Sequence, residues 1–193
     1  MDRGKDMHKL CEEYIRGRFD ELPKELREFE EAFVKLKELH ELGQVTCESD
    51  WAITKDWDQT GWFDEDTWGR AKVDAFVYDE GNSKEARVID FKTGRYEGNQ
   101  EAHKEQCELY GGIALKRYPE LEKIITEMWY LDHGKIDRYI YTQESINIKR
   151  DKIHIRAVEM TEATEFPANP SKWKCKWCYF GKQNMCREKY EEY

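Results

Sequence analysis

Arg87-Val-Ile-Asp-Phe-Lys-Thr-Gly94 is the stretch on which the fold turns. Val88 to Phe91 reads as a short buried strand, and Thr93-Gly94 stops it. Side chains alternate along a strand, so Asp90 and Lys92 share a face. A carboxylate and an ammonium side by side at a strand end can hold a metal ion and a water together. A charged pair on an open strand face is also common, so its weight depends on what the rest of the chain supplies.

Upstream, Lys72-Val-Asp-Ala-Phe-Val-Tyr78 alternates, which puts Asp74 on the opposite face from Val73 and Ala75. Asp79-Glu-Gly-Asn-Ser83 has turn chemistry, and the chain returns along Ala86 to Lys92, giving a β-hairpin. Asp74 can then approach Asp90 across two neighbouring strands. Two carboxylates at that proximity repel unless a cation or a shared proton lies between them. A divalent metal is the simplest solution.

Downstream, Glu97 to Lys116 reads as a helix with Gln106 and Tyr110 one turn apart and Leu109, Ile113 and Ala114 as its packing stripe. Strands follow near Ile124 to Leu131 and Arg138 to Thr142. A helix between strands gives an α/β pattern, with the next strand parallel to the one carrying Asp90. From Gln143 to Glu165 the isoleucines mix both periods, which suggests a strand and then a helix. Pro167 to Pro170 ends that section, and Cys175-Lys-Trp-Cys178 and Cys186 follow.

Before the hairpin, Gly4 to about Arg18 reads as a helix with Met7, Leu10, Cys11, Tyr14 and Ile15 on its apolar face and His8 and Glu12 beside it. Pro23 opens a second helix over Lys24 to Leu42, closed by Gly43. Gln44 to Ile53 looks like the first strand. The loop carrying Trp57, Trp62, Phe63 and Trp68 could stack on bases. A packed cover over the sheet edge is favoured, because Trp is more often buried than displayed.

A chain of 193 residues with 39% hydrophobic and 13% aromatic content suits one domain with a substantial core, 1–193, ending in a cysteine-containing segment of about 167–193. No apolar run approaches the ~20 residues of a membrane helix, and the charged start lacks a signal-peptide core, so a cytoplasmic protein is expected. The formal charge of −9 does not advertise a nucleic-acid binder, although a local basic groove can coexist with an acidic remainder. Six cysteines in such a chain point away from disulfides, and three clustered ones point toward metal or cluster chemistry.

Taken in order, Gly4-x-x-x-His8-x-x-x-Glu12, Asp74, Asp90-Phe91-Lys92 and Gln106-x-x-x-Tyr110 resemble the PD-(D/E)xK nuclease superfamily, and within it the RecB-like and Cas4-like branch that includes phage exonucleases. The resemblance implies a restriction-endonuclease-like α/β core, a mixed central sheet flanked by helices. It also implies a metal-dependent deoxyribonuclease, an exonuclease acting on DNA ends with Mg²⁺ or Mn²⁺; in a phage protein the setting would be the host cytoplasm. His8, Asp74, Asp90 and the Phe91 backbone carbonyl would be the metal ligands. Asp74, Asp90, Lys92, Gln106 and Tyr110 would form the catalytic set, with Lys92 handling the attacking water and Gln106 and Tyr110 in support. Arg70, Arg95 and Lys104 are candidates for phosphate contacts. Ala71 stands where relatives usually have glycine three residues before the strand aspartate. Cys175, Cys178 and Cys186 resemble the triplet that helps hold an iron–sulfur cluster in some relatives, but three ligands are one short, and neither Cys11 nor Cys47 matches the position of the fourth. An iron–sulfur cluster, zinc and plain reduced thiols all stay open. The alternative function is a catalytically silent DNA-end or partner-binding module.

Overall fold

The computed structural model describes residues 3–78, 84–183 and 185–188, so the turn expected at 79–83 lies outside the described residues. Two compact units divide the chain, 1–154 and 155–193. The first holds a six-stranded sheet built from β1 (Val45–Ile53), β2 (Gln59–Thr60), β3 (Gly69–Tyr78), β4 (Glu85–Lys92), β5 (Lys123–Tyr130) and β6 (Lys135–Thr142). Their order across the sheet is β2-β1-β3-β4-β5-β6. β3 and β4 pair as the expected antiparallel neighbours. β4 and β5 run parallel, with Asp90 beside Met128 and Lys92 beside Tyr130, because α3 (Gln100–Arg117) carries the chain back to the starting end of the sheet.

Helices cover both faces, and the mixed α/β architecture is the one expected. On one side lie α1 (Arg3–Ile15), a 3-10 helix (Lys24–Phe29) and α2 (Glu30–Glu41). Met7, Cys11, Tyr14 and Ile15 recur at helical spacing, and together with Phe33 and Leu36 they bury against Val45, Ile89, Phe91 and Trp129. On the other side Tyr110, Ile113 and Ala114 of α3 pack on Val73, Val88 and Ile124. Gly111 and Gly112 bring α3 in close. A Cβ at Gly111 would lie 3.1 Å from the Tyr141 ring, and one at Gly112 would lie 3.1 Å from Trp57.

Three local expectations change. The single helix from Lys24 to Leu42 breaks at Phe29 (φ −122°, ψ 26°), whose ring stacks flat on Trp129 at 5.4 Å between centroids. The section after Gln143 holds no strand: it is one helix, α4 (Gln143–Glu162). Thr142 and Ser145 cap its start by exchanging backbone N–H to hydroxyl bonds, and Ile146 and Ile153, seven apart, face the core. The third change concerns Asp74. Val73 packs with the α3 side while Ala75 packs with the α1 side, so the strict alternation fails at Asp74 itself. On β1, Glu48 has φ 53°, a left-handed conformation rare for such a residue. Cys47 and Trp51 of that strand accordingly bury in different cores. Both strands therefore kink at one level.

Burial varies along the Trp-rich loop. Trp57 is buried beneath α3 and donates to His154 Nδ1 at 3.3 Å, whereas Phe63 is 88% exposed. Among the described residues no helix is long and apolar enough to cross a membrane.

α1 is also tied to the end of β4. Asp132, after β5, takes a two-pronged bond from Arg3 and accepts from the Gly94 N–H. The Arg3 bond first, then the Gly94 bond and Arg3's charge, hold the Asp132 carboxyl at about 2. A carboxyl depressed by folding stabilises above its unfolded value and loses that contribution as the pH falls through its folded one. The stability gap between wild type and Asp132→Asn, measured by urea unfolding, should therefore close between about pH 4 and pH 2. A gap that stays constant across that range would count against the linkage.

Candidate metal centre

The kink in β1 and β3 and the end of β4 meet at one place. Asp74 is 7% exposed and Asp90 is 4% exposed. One Asp74 oxygen lies 2.9 Å from His8 Nδ1 on α1, and the other accepts the Phe91 backbone N–H at 2.6 Å. Asp74 thus replaces a backbone partner on the neighbouring strand, which locks its carboxylate at the level of Asp90. Ala71, in the place of the usual glycine, is an ordinary buried strand residue paired with Trp51.

Asp90 Oδ1 accepts from Tyr110 Oη at 2.9 Å and from the Gln106 amide at 3.1 Å. The same Gln106 amide donates to Tyr110 Oη at 2.6 Å, and its carbonyl accepts from Lys92 Nζ at 2.9 Å. Tyr110 has one proton to give, shared between Asp90 and the Lys72 carbonyl at 3.0 Å. Gln106 and Tyr110 therefore orient both members of the Asp90–Lys92 pair, which explains their four-residue spacing on α3.

Burial first, and then the nearby Asp74 charge, push the Asp90 carboxyl above its ordinary range, while Lys92 and Tyr110 pull it partly back. The hydrogen bond that His8 donates to the Asp74 carboxylate holds its imidazole above the usual value against the opposing effect of burial. Burial, then the Asp90 charge, raises the Tyr110 phenol and keeps it a proton donor. The residues fit a divalent cation. Asp90 Oδ2 is buried and meets Lys92 Nζ at 2.6 Å as an ion pair, without the alignment of a hydrogen bond. Such an oxygen has capacity for another positive partner.

Glu48 is absent from the sequence-based set. Ligand atoms of His8, Glu48 and Asp74 all lie within 4.8 Å of one another, the one such group of His, Cys, Asp and Glu among the described residues. Glu48 also pairs with Lys72 at 2.8 Å. A cleft of about 650 Å³ opens over these groups, and Lys5, Lys9 and Lys72 contribute its positive charge. Arg70, Arg95 and Lys104 do not line it, and Arg70 instead donates to the Trp62 carbonyl. His8, Asp74, Asp90, Lys92, Gln106 and Tyr110 are brought together as expected. Phe91 contributes its N–H to Asp74, and its side chain is buried on the α1 side.

The cysteines separate into two groups. Cys11, Cys47 and Cys107 are buried in the first unit. Burial, the largest influence on each, pushes Cys47 up to about 11, Cys107 to about 12 and Cys11 higher still, so all three pack as neutral thiols. In the second unit Cys175 lies in α5 (Lys172–Trp177), Cys178 lies between it and α6 (Tyr179–Lys182), and Cys186 follows; all three are half-buried. Their sulfurs are not gathered into a ligand set among the described residues.

One solved structure shares this fold at low identity. The crystal structure of a "putative exonuclease" from Eubacterium rectale is 12% identical, with a TM-score of 0.51 over 100% of this chain and 78% of that one. The crystal structure of SSO0001 is 15% identical over 99% of this chain and 100% of that one, with a TM-score of 0.36. A search of curated proteins finds no match. The sequence profile of the PD-(D/E)XK nuclease superfamily, in contrast, spans residues 1–187. With the ordered acidic, lysine and glutamine–tyrosine residues converging in one cleft, the chain belongs to the PD-(D/E)XK nuclease superfamily.

Proposed function

We propose that the cleft hydrolyses DNA phosphodiester bonds with Mg²⁺ or Mn²⁺, as an exonuclease of the RecB-like type acting on DNA ends. The observation that carries this is the facing of Asp74 and Asp90 across the hairpin, with His8 on one carboxylate and Lys92 on the other. His8, Asp74, Asp90 and the Phe91 carbonyl would hold the cation, and Glu48 would add a ligand from β1. Bound there, such a cation supplies Lewis-acid stabilisation of the phosphate charge and a more acidic water. An imidazole in a mostly oxygen set leans the choice toward Mn²⁺.

The chain's own groups do the rest. Lys92 Nζ sits between Asp90 Oδ2, which it meets as an ion pair, and Gln106 Oε1, to which it donates, so the ammonium is held in place and keeps protons for a water or a phosphoryl oxygen. Lys5, Lys9 and Lys72 meet the anionic backbone at the mouth of the cleft. The exonuclease reading draws on the motif order and on the name of the Eubacterium rectale neighbour. The intact carboxylate–lysine set argues against a silent module. Cys175, Cys178 and Cys186 are given no step.

Incubation of end-labelled linear DNA and closed circular DNA with either metal tests this. Loss of label from the linear form with the circle spared is the expected result. Equal attack on the circle would make the enzyme an endonuclease, and no cleavage with either metal would sink the nuclease reading. Gln106→Ala should retain a folded cleft but lower kcat by about 10-fold. It leaves Lys92 and Asp90 each short of one orienting bond while keeping the charged groups, a loss typical of a supporting shell. An unchanged rate would remove Gln106 from the machinery.

A further inference from the structure

We propose that the second unit displays a stacking platform for single-stranded DNA on Trp173, Trp177, Tyr179 and Phe180, a substrate preference that rests on the nuclease reading above. From Phe166 to Arg187 the chain has five cations and no carboxylate, although the whole protein carries a net −9. The aromatic residues are interleaved with those cations, and they face outward. Trp173 is 72% exposed and Trp177 is 68% exposed, with Tyr179 and Phe180 both more than half exposed.

Four residues apart on α5, Trp173 and Trp177 share one face of the helix. Lys176 Nζ lies 5.6 Å from the first ring and 5.3 Å from the second, and Lys182 Nζ lies 5.2 Å from Trp177. Tyr179 and Phe180 meet edge to face at 5.6 Å. Two local contacts order the backbone that carries these rings. Ser171 Oγ caps α5 by accepting the Lys174 N–H, and the turn into α6 is so close that a Cβ at the buried Gly181 would lie 3.1 Å from the Cys175 carbonyl.

Ordinary surfaces do not keep so many large aromatics together without a ligand. The chemistry of the patch selects which one. Flat π faces accept bases, and ammonium groups between them reach phosphates, which is how single strands are held. A duplex keeps its bases stacked away from such rings. An acidic peptide would satisfy the lysines but leave the ring faces unused. Helices of six and four residues are too short to lay a continuous apolar face on a lipid surface. The Trp57 loop, the other candidate stacking site, has its first tryptophan buried under α3.

Anisotropy of labelled oligothymidylate, titrated with the full chain in chelator so that cleavage cannot intervene, tests the platform. Trp173→Ala and Trp177→Ala should each weaken binding by roughly 5- to 150-fold, and Trp173→Phe should restore most of it. Lys176→Gln should flatten the log–log salt slope by about 0.7. Duplex DNA of the same length should bind more weakly and respond little to the tryptophan changes. Affinity for oligothymidylate that stays within twofold in both alanine variants would overturn the proposal. So would a loss confined to phosphatidylserine vesicles or to a poly-glutamate peptide. Failure here is separable from failure of the nuclease reading: normal binding by the tryptophan variants beside active cleavage removes only the platform. Tryptophan-dependent binding without cleavage under any metal removes only the nuclease.

Discussion

Asp90→Asn is expected to lose metal-dependent cleavage by about 10²–10³-fold or more, the scale of removing a preorganised charged group from a reaction centre. The replacement keeps an oxygen to accept from Tyr110 and Gln106 and removes only the charge. That charge is buried, opposed by Asp74, and only partly offset by Lys92. Folding therefore gains little from it, and the thermal midpoint should move by a few degrees at most while activity collapses. Lys92→Ala should cost about 10²–10⁴-fold, the range for a group that handles a proton in the transition state. Rates with saturating Mn²⁺, set beside thermal melts of the same preparations, separate chemistry from folding. Either variant cleaving at the wild-type rate would dissociate the cleft from the activity.

Trp129→Ala is expected to cost about 3–5 kcal/mol, a drop of roughly 10 °C in Tm for a chain this size. Trp129 is the centre of the aromatic cluster under α1 and α2. It stacks on Phe29 at 5.4 Å and meets Phe33 and Phe91 edge-on at 5.4 and 5.8 Å. Its indole N–H also donates at 2.8 Å to Glu127, a carboxylate only 1% exposed. The other Glu127 oxygen accepts from Arg138 at 2.7 Å, and Arg87 stands 3.8 Å from the oxygen that Trp129 bonds. Alanine would leave both a cavity and a buried carboxylate oxygen without its close donor. Trp129→Phe keeps most of the packing and removes the donor, so the difference between the two variants isolates the cavity. A loss below about 1 kcal/mol for the alanine variant in thermal unfolding would show that the cluster repacks around it.

Much of the candidate site was legible in order along the chain because short-range periodicity carries it. Residues two apart on a strand share a face, so Asp90 and Lys92 belonged together. Turn-forming residues after Tyr78 made the hairpin, and with it the approach of Asp74. Residues four apart on a helix lie one turn from each other, so Gln106 and Tyr110 did too, and a helix between strands pointed to β5 running parallel to β4. The misread elements are those where local preference was overruled or split. The isoleucines after Gln143 are good strand formers, yet the Thr142–Ser145 cap and the core positions of Ile146 and Ile153 make a helix of them. Phe29 looked like one more apolar position on a long helix, but its flat stack on Trp129 ends the 3-10 turn there.

By itself, the sequence determined the α/β order and the facing of Asp90 with Lys92, because both follow from spacing within a single element. The break in alternation at Asp74 was decided only by the tertiary structure, since it depends on how β1 and β3 divide their side chains between two cores. Glu48 entered the site the same way. Nothing in Cys47-Glu48-Ser49 marks a ligand, and the residue faces His8 and Asp74 only because its backbone turns left-handed opposite the kink in the neighbouring strand. Contacts between elements far apart in the chain are set by burial across the whole core, and no local pattern encodes them.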